Sequence, residues 1–186
     1  MEWERLLNPC RLGKEKTDRS ASTRTVFERD FDRIVFSSAF RRLQDKTQVF
    51  PLSQSDYVRT RLTHSLEASC VGRSLGTMTG ERLLTRDRGL AQLCHSSDIG
   101  AIVANACLAH DIGNPPFGHA GENAIAYWFE SDPAGQGIIE DLGPSSPEAC
   151  DFLRFEGNAQ GLRVLTRLQH PETAGGLQLT YATLAA

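Results

Sequence analysis

The stretch from Ser97 to Glu122, SDIGAIVANACLAHDIGNPPFGHAGE, decides the fold that we expect for this chain. Ser97 is a good N-cap in front of Asp98, and apolar residues follow at helical spacing. The turn Gly113-Asn114-Pro115-Pro116 must end this helix. A second helix is predicted from His119 to Glu130. No strand-like alternation competes here or elsewhere, so the sequence predicts an all-α protein.

Helical spacing predicts further helices at residues 26–43, 58–84 and 147–169, and an apolar last piece at 177–186. Residues 131–147 are rich in Gly and Pro, which predicts a surface loop. In the helix at 58–84 the apolar residues are expected on the buried side. Its three glycines mark either close helix packing or breaks, because glycine is a poor helix former. The residues in question are Leu62, Leu66, Cys70, Val71, Leu75 and Met78, and the glycines Gly72, Gly76 and Gly80.

Length and composition indicate one globular domain of 186 residues, with 40% hydrophobic and 23% charged residues. We expect an irregular arm at 1–25 and a helical domain at 26–186. The net charge of -3 argues against a dedicated nucleic-acid or polybasic membrane protein. The first fifty residues nevertheless carry a net charge of +3, and 17 of the 20 basic residues are arginine. This favours a phosphate-bearing partner, although GC-rich coding gives the same arginine bias.

The chain has five cysteines, no CxxC pair and no apolar leader after Met1. An odd number of cysteines without a secretory signal is typical of reduced thiols. We therefore expect a cytoplasmic protein without a membrane segment.

His110 lies on the apolar stripe of the central helix and is followed by Asp111. A histidine in this position is often a core residue with a satisfied hydrogen bond. An adjacent acid, however, is costly to bury without a cation or a donor. Imidazole and carboxylate together suit a divalent metal such as Mn, Fe, Mg or Zn.

His64 lies near a second inward-facing helical surface, close to Arg59 and Arg61. These arginines are either a solvated helix start or a phosphate clamp beside the metal. His119 and Glu122 share one helix face, since they are three residues apart. Their pairing fits a general acid or base, and Glu122 alone would also offset the helix dipole.

Four strings of the sequence resemble the deoxyguanosine triphosphate triphosphohydrolase (dGTPase) family of HD-domain metal phosphohydrolases. They are AFRRLQDKTQVFPL (39–52), VRTRLTHSLE (58–67), HDIGNPPFGHAGE (110–122) and RFEGNAQGLR (154–163). The resemblance runs from about residue 20 to the last residue. It implies an HD-type helical bundle that hydrolyses deoxynucleoside triphosphates, above all dGTP, to the deoxynucleoside and inorganic triphosphate.

The resemblance also assigns residues. His64, His110 and Asp111 match metal ligands, His119 and Glu122 match the catalytic acid–base pair, and Mg or Mn is the expected ion, with Fe or Zn as alternatives. Four further positions match substrate-binding residues: Gln48 at the deoxyribose, Arg61 near the phosphates, and Asn158 and Gln160 near the substrate pocket. The resemblance also implies a homo-oligomer and, as in some relatives, single-stranded DNA as a partner.

The sequence departs from the family at the fourth metal ligand, an aspartate on a later helix. No Asp follows Arg163, and only Glu172 is acidic there. We therefore expect an N-terminal piece of a longer enzyme, incomplete at its C-terminus, with weak or no activity alone. Two alternatives stay open: another HD-type nucleotide phosphohydrolase, or an inactive fragment that serves nucleotide binding or oligomerisation.

Overall fold

A computed structural model of the chain describes residues 2–14, 23–47 and 58–186. Gln48, the expected deoxyribose contact, lies outside the described residues. The described part is all-α, as expected, and its only strand-like pairings are two isolated bridges, Arg11 with Thr180 and Thr47 with Thr60. Its α-helices are α1 (Trp3–Leu6), α2 (Val26–Val35), α3 (Ser38–Arg41), α4 (Arg61–Arg86), α5 (Leu90–Leu93), α6 (Ser96–Ala109), α7 (His119–Ser131), α8 (Pro133–Leu142), α9 (Pro147–Leu153), α10 (Gly157–Arg163) and α11 (Tyr181–Ala185).

The helix expected at 26–43 is interrupted. Thr25 and Glu28 form a capping box that starts α2. Ser37 then accepts a hydrogen bond from the Phe40 amide at 3.1 Å and starts α3. A 3₁₀ turn at Arg42–Asp45 follows. A cap residue in mid-segment therefore divides one apolar pattern between two helices.

The pair α4–α6 is the centre of the fold, and its packing corrects the face expected to be buried on α4. Val71, Leu75 and Met78 are more than half exposed, and Leu66 and Cys70 are exposed as well. The buried positions are instead Arg61, Ser65, Ser69, Gly72, Gly76 and Gly80. The expectation was wrong for these five residues, because small residues allow the two helices to approach closely, whereas Leu62 is partly buried and packs against the core.

Of the two interpretations of the α4 glycines, the structure confirms close packing. A β-carbon at Gly76 would lie 3.0 Å from Gly100 Cα and 3.1 Å from Val103 Cβ. One at Gly80 would lie 3.0 Å from Ser96 Cα. These contacts bring the first turn of α4 beside the last turn of α6, which positions the candidate site.

The prediction of a surface loop at 131–147 was wrong, because α8 occupies most of these residues. Asp132 accepts from the Ala134 amide, and Pro133 stands at the first helical position, where its missing N–H costs nothing. Gly143 then ends the helix with φ +86°. The proline and this glycine are thus helix boundaries and not loop residues.

The helix expected at 147–169 is divided as well. It breaks between Leu153 and Gly157, where Glu156 caps α10 by accepting from two backbone amides. After α10 the chain continues as a π-helical turn, Val164–Leu168. The break creates the glycine-rich start of α10 that lies against the candidate site.

The two ends of the described chain meet in the core. Asp30 is fully buried and accepts from the Arg11 guanidinium at 2.5 Å and from the Thr180 amide at 2.8 Å. Arg11 is also buried, so this part of the expected arm packs against the helical body. The hydrophobic core of the described chain includes Ile34, Leu43, Leu108 and Leu179.

Within the described ranges, no helix is long and apolar enough to span a bilayer.

Candidate metal centre and acid–base pair

His64, His110 and Asp111 come together at the junction of α4 and α6. Thr60 caps α4 by accepting from the Thr63 amide, which places His64 in the first helical turn. His110 and Asp111 follow directly after α6. One potential ligand atom from each residue lies within 4.8 Å of the other two. The two imidazole rings meet edge to face with centroids 5.3 Å apart.

The His110 ring is oriented by the backbone. Its Nδ1 lies 2.7 Å from the Cys107 carbonyl oxygen, a geometry that assigns the proton to Nδ1. Nε2 then carries the free lone pair and lies 3.5 Å from Asp111 Oδ2. A histidine held in this way at one ring nitrogen is the usual arrangement of a metal ligand.

Asp111 is buried, with 3% of its surface exposed. Its Oδ1 accepts from Arg61 Nη1 at 2.8 Å and from Asn114 Nδ2 at 2.5 Å. Its Oδ2 is buried without a hydrogen-bond partner among the described residues. A buried carboxylate oxygen without a partner is costly. Since it lies beside two imidazoles, this oxygen fits a divalent cation as its missing partner.

His119 and Glu122 form a hydrogen-bonded pair at the start of α7. His119 Nδ1 lies 2.8 Å from Glu122 Oε2, and 95% of the His119 side chain is exposed against 11% for Glu122. The hydrogen bond and the charge of Glu122 raise the pKa of His119 above its ordinary value of 6.5. His119 therefore presents to solvent a ring whose protonated form is favoured by Glu122.

The second carboxylate oxygen of Glu122 connects α7 with α10. Oε1 accepts from the Gly157 amide at 2.9 Å. This places the segment that contains Asn158 and Gln160 beside the acid–base pair. Asn158 itself is exposed and donates to Glu156. Together with His110 it lines an apolar cavity of about 290 Å³.

Arg61 is buried, with 8% of its surface exposed. The structure places it against Asp111, as a partner of the candidate metal ligand. Its role near the phosphates of a substrate stays a prediction.

Two polar residues of the site were not found from the sequence. Lys46 Nζ donates to the Asn114 carbonyl at 2.7 Å, and Asn114 donates to Asp111. Burial, followed by the charge of Arg61, lowers the pKa of Lys46. A weak signal existed, since Lys46 is one of only three lysines and Asn114 follows Asp111 by three residues.

Comparisons with known proteins find close relatives. No protein-family model matches the chain. A deoxyguanosinetriphosphate triphosphohydrolase-like protein of Synechocystis is 56% identical and aligns with 100% of this chain and 41% of its own length. The corresponding Listeria monocytogenes protein is 47% identical, again over 100% of this chain and 41% of its own length.

A deoxyguanosinetriphosphate triphosphohydrolase of Klebsiella pneumoniae is 45% identical over 77% of this chain and 33% of its own length. The chain thus spans about two fifths or less of the length of these relatives. On this similarity, the chain is a homologue of part of the deoxyguanosinetriphosphate triphosphohydrolase-like proteins.

Proposed function

We propose that this chain carries part of the active site of a metal-dependent deoxynucleoside triphosphate triphosphohydrolase. Its substrate would be dGTP, and its products deoxyguanosine and inorganic triphosphate. One observation carries the proposal: the buried, unpaired Asp111 Oδ2 beside His64 and His110. The names of the relatives, triphosphohydrolases of a deoxyguanosine nucleotide, support the substrate class.

The cation would be held by His64, by His110 through Nε2, and by Asp111 through Oδ2. Mg or Mn is proposed first, with Fe or Zn as alternatives. When bound, such an ion supplies a Lewis acid that offsets phosphate charge and acidifies water. Arg61 and Asn114 hold the other oxygen of Asp111, so the carboxylate cannot turn Oδ2 away from the ion.

His119 would act on the ester that is broken. Water adds to the α-phosphorus, the bond from phosphorus to the 5′ oxygen breaks, and the departing oxygen requires a proton. The His119 ring is exposed, and its pKa is raised by Glu122. This favours proton donation by His119 to the 5′ oxygen, and Glu122 would stabilise the charged ring beforehand.

The remaining assignments extend this proposal. Gln48 would contact the deoxyribose, Arg61 would lie near the phosphates, and Asn158 and Gln160 would line the substrate pocket. A homo-oligomer and single-stranded DNA as a second ligand are proposed with the family resemblance as their support. A cytoplasmic location is proposed from the odd number of cysteines without a CxxC pair.

The proposal is tested by incubating the chain with Mn²⁺ or Mg²⁺ and each dNTP, and by identifying the products with ion-exchange chromatography and ³¹P NMR. Inorganic triphosphate with deoxyguanosine is expected. Orthophosphate released stepwise would instead indicate another HD-type phosphohydrolase. Nucleotide binding without turnover would indicate an inactive binding fragment.

The matched variant is His119→Ala, which should reduce any hydrolysis by about 10²–10⁴-fold without changing metal binding. His170→Ala, at an exposed histidine far along the chain, serves as the control and should leave the rate unchanged. An equal loss of hydrolysis rate in both variants would contradict a catalytic role for His119.

A further inference from the structure

Gly157, the first residue of α10, lies between the candidate metal centre and the acid–base pair. It is buried, and its amide donates to Glu122 Oε1 at 2.9 Å. A β-carbon at this position would overlap Asn114 Oδ1 and lie 2.7 Å from Glu122 Oε1. No other described glycine has both of these side chains as its nearest neighbours.

Each of the two neighbours holds a different functional group. The Asn114 amide donates to Asp111 Oδ1 at 2.5 Å, which leaves Oδ2 for a cation. Glu122 Oε2 pairs with His119 Nδ1 at 2.8 Å. Lys46 binds the Asn114 backbone carbonyl and not its side chain, so the Asn114 side chain can turn without breaking the contact with Lys46. The space beside Gly157 Cα is therefore occupied by the two side chains that orient Asp111 and His119, namely Asn114 and Glu122.

We infer that Gly157 is a positioning residue. Because it has no side chain, Asn114 can stay against Asp111 and Glu122 can stay against His119. Its consequence for catalysis rests on the function proposed above. The effect of Gly157 on the geometry does not, since the contacts lie among residues of this chain.

A methyl group at position 157 should move these supports without unfolding the protein. The backbone of Gly157 is not among the positive-φ residues, so alanine fits its conformation. The atoms that the methyl group meets first are the far ends of two side chains, and not backbone. Alanine also favours helix over glycine. The strain is thus relieved by turning Asn114 and Glu122, the two side chains that the site needs in place.

Gly161 provides a matched control one turn later in α10. A β-carbon there would lie 3.5 Å from its nearest neighbour, Gly113 N, in ordinary contact. Gly157→Ala and Gly161→Ala therefore make the same chemical change in the same helix, and only the first displaces the two supports.

The test compares both variants with the parent chain by ¹³C-edited NMR titration of His119, Mn²⁺ titration calorimetry and thermal unfolding. In Gly157→Ala we expect the pKa of His119 to fall toward its ordinary value and the Mn²⁺ dissociation constant to rise about 10–100-fold. The unfolding temperature should stay within a few degrees. In Gly161→Ala all three should match the parent. An unchanged His119 pKa in Gly157→Ala, or equal losses in both variants, would overturn the inference.

Asn114→Ala separates the effect on Mn²⁺ binding from the effect on the His119 pKa. It also gives an independent test in case Gly157→Ala does not fold. It should weaken Mn²⁺ binding and leave the His119 pKa raised, because Glu122 keeps its place. Combined with Gly157→Ala it removes the larger overlap and should restore part of the raised His119 pKa. No restoration would contradict a steric cause. If the parent chain binds no Mn²⁺, the proposed function fails, while the His119 titrations still decide the role of Gly157.

Discussion

Arg61 Nη1 donates a 2.8 Å hydrogen bond to Asp111 Oδ1, and both side chains are more than nine-tenths buried. A charge pair at this depth is oriented by its own geometry and not by solvent. The arginine occupies one carboxylate oxygen and leaves the other unpaired beside two histidines. In the described structure, Arg61 therefore orients the carboxylate of Asp111, the candidate metal ligand.

The Arg61–Asp111 pair should matter for folding. Replacing Arg61 with Met keeps the length of the side chain but leaves Asp111 as an uncompensated buried charge, which costs about 3–5 kcal/mol of unfolding free energy. Arg59→Met is the control, because Arg59 pairs with Glu67 where both are more than half exposed. It should cost less than about 1 kcal/mol. Urea denaturation that gives the same loss for both variants would contradict the buried pair.

The His119–Glu122 pair predicts a pH dependence. Since Glu122 raises the folded-state pKa of His119 above 6.5, the pair stabilises the fold fully below the unfolded-state pKa. This contribution is lost as the pH rises through the higher folded-state value. It is small, because His119 is almost fully exposed.

NMR titration should show the His119 pKa above 6.5 in the parent chain and close to 6.5 in Glu122→Gln. Glu172→Gln, at an exposed acid, should leave it unchanged. A His119 pKa that ignores the Glu122 change would refute the pairing.

Much of the fold can be predicted from the sequence where the helical spacing of apolar residues and the helix-ending residues agree. The predicted helices at α6 and α7 are found because the turn with Pro115 and Pro116 separates two regular patterns. The buried face of α4 could not be predicted from hydrophobicity, since Gly72 and Gly76 pack while Val71 and Leu75 are exposed.

The candidate site shows the same division. His64, His110 and Asp111 were predicted from their residue types and the family resemblance, and the fold brings them together. Lys46 and Gly157 were missed because their roles exist only through contacts, with Asn114 68 residues away and with Glu122 35 residues away. Apart from the scarcity of lysine in the chain, nothing in their local sequence indicates such partners.

The buried face of α4 should tolerate substitutions less well than its exposed face. Gly76→Val should destabilise the protein by about 1–3 kcal/mol, because the added atoms meet Gly100 and Val103 on α6. Leu75→Ser, one position earlier and 57% exposed, should change stability by about 0.5 kcal/mol or less. Thermal unfolding of the two variants distinguishes the faces, and a larger loss in Leu75→Ser would mean that the apolar face is the packed one.

The buried Arg11–Asp30 pair should be needed for joining the two ends of the described chain. Asp30→Ala removes acceptors for Arg11 and Thr180 and should cost about 3–5 kcal/mol. Asp32→Ala, two residues away, breaks a half-exposed pair with Arg24 and should cost about 1 kcal/mol or less. Equal urea midpoints for the two variants would show that the buried pair contributes no more than the surface pair.

The central claim is that His64, His110 and Asp111 hold a divalent cation, and Mn²⁺ titration of the chain with and without Asp111→Asn tests it most directly. Asparagine keeps the shape of the side chain but removes the charged oxygen that lacks a partner. We expect one Mn²⁺ per parent chain, no measurable binding in Asp111→Asn, and unchanged binding in Asp151→Asn, where the acid is half-buried and paired with Arg163. Equal Mn²⁺ binding by the parent and Asp111→Asn, or none by the parent, would contradict the claim.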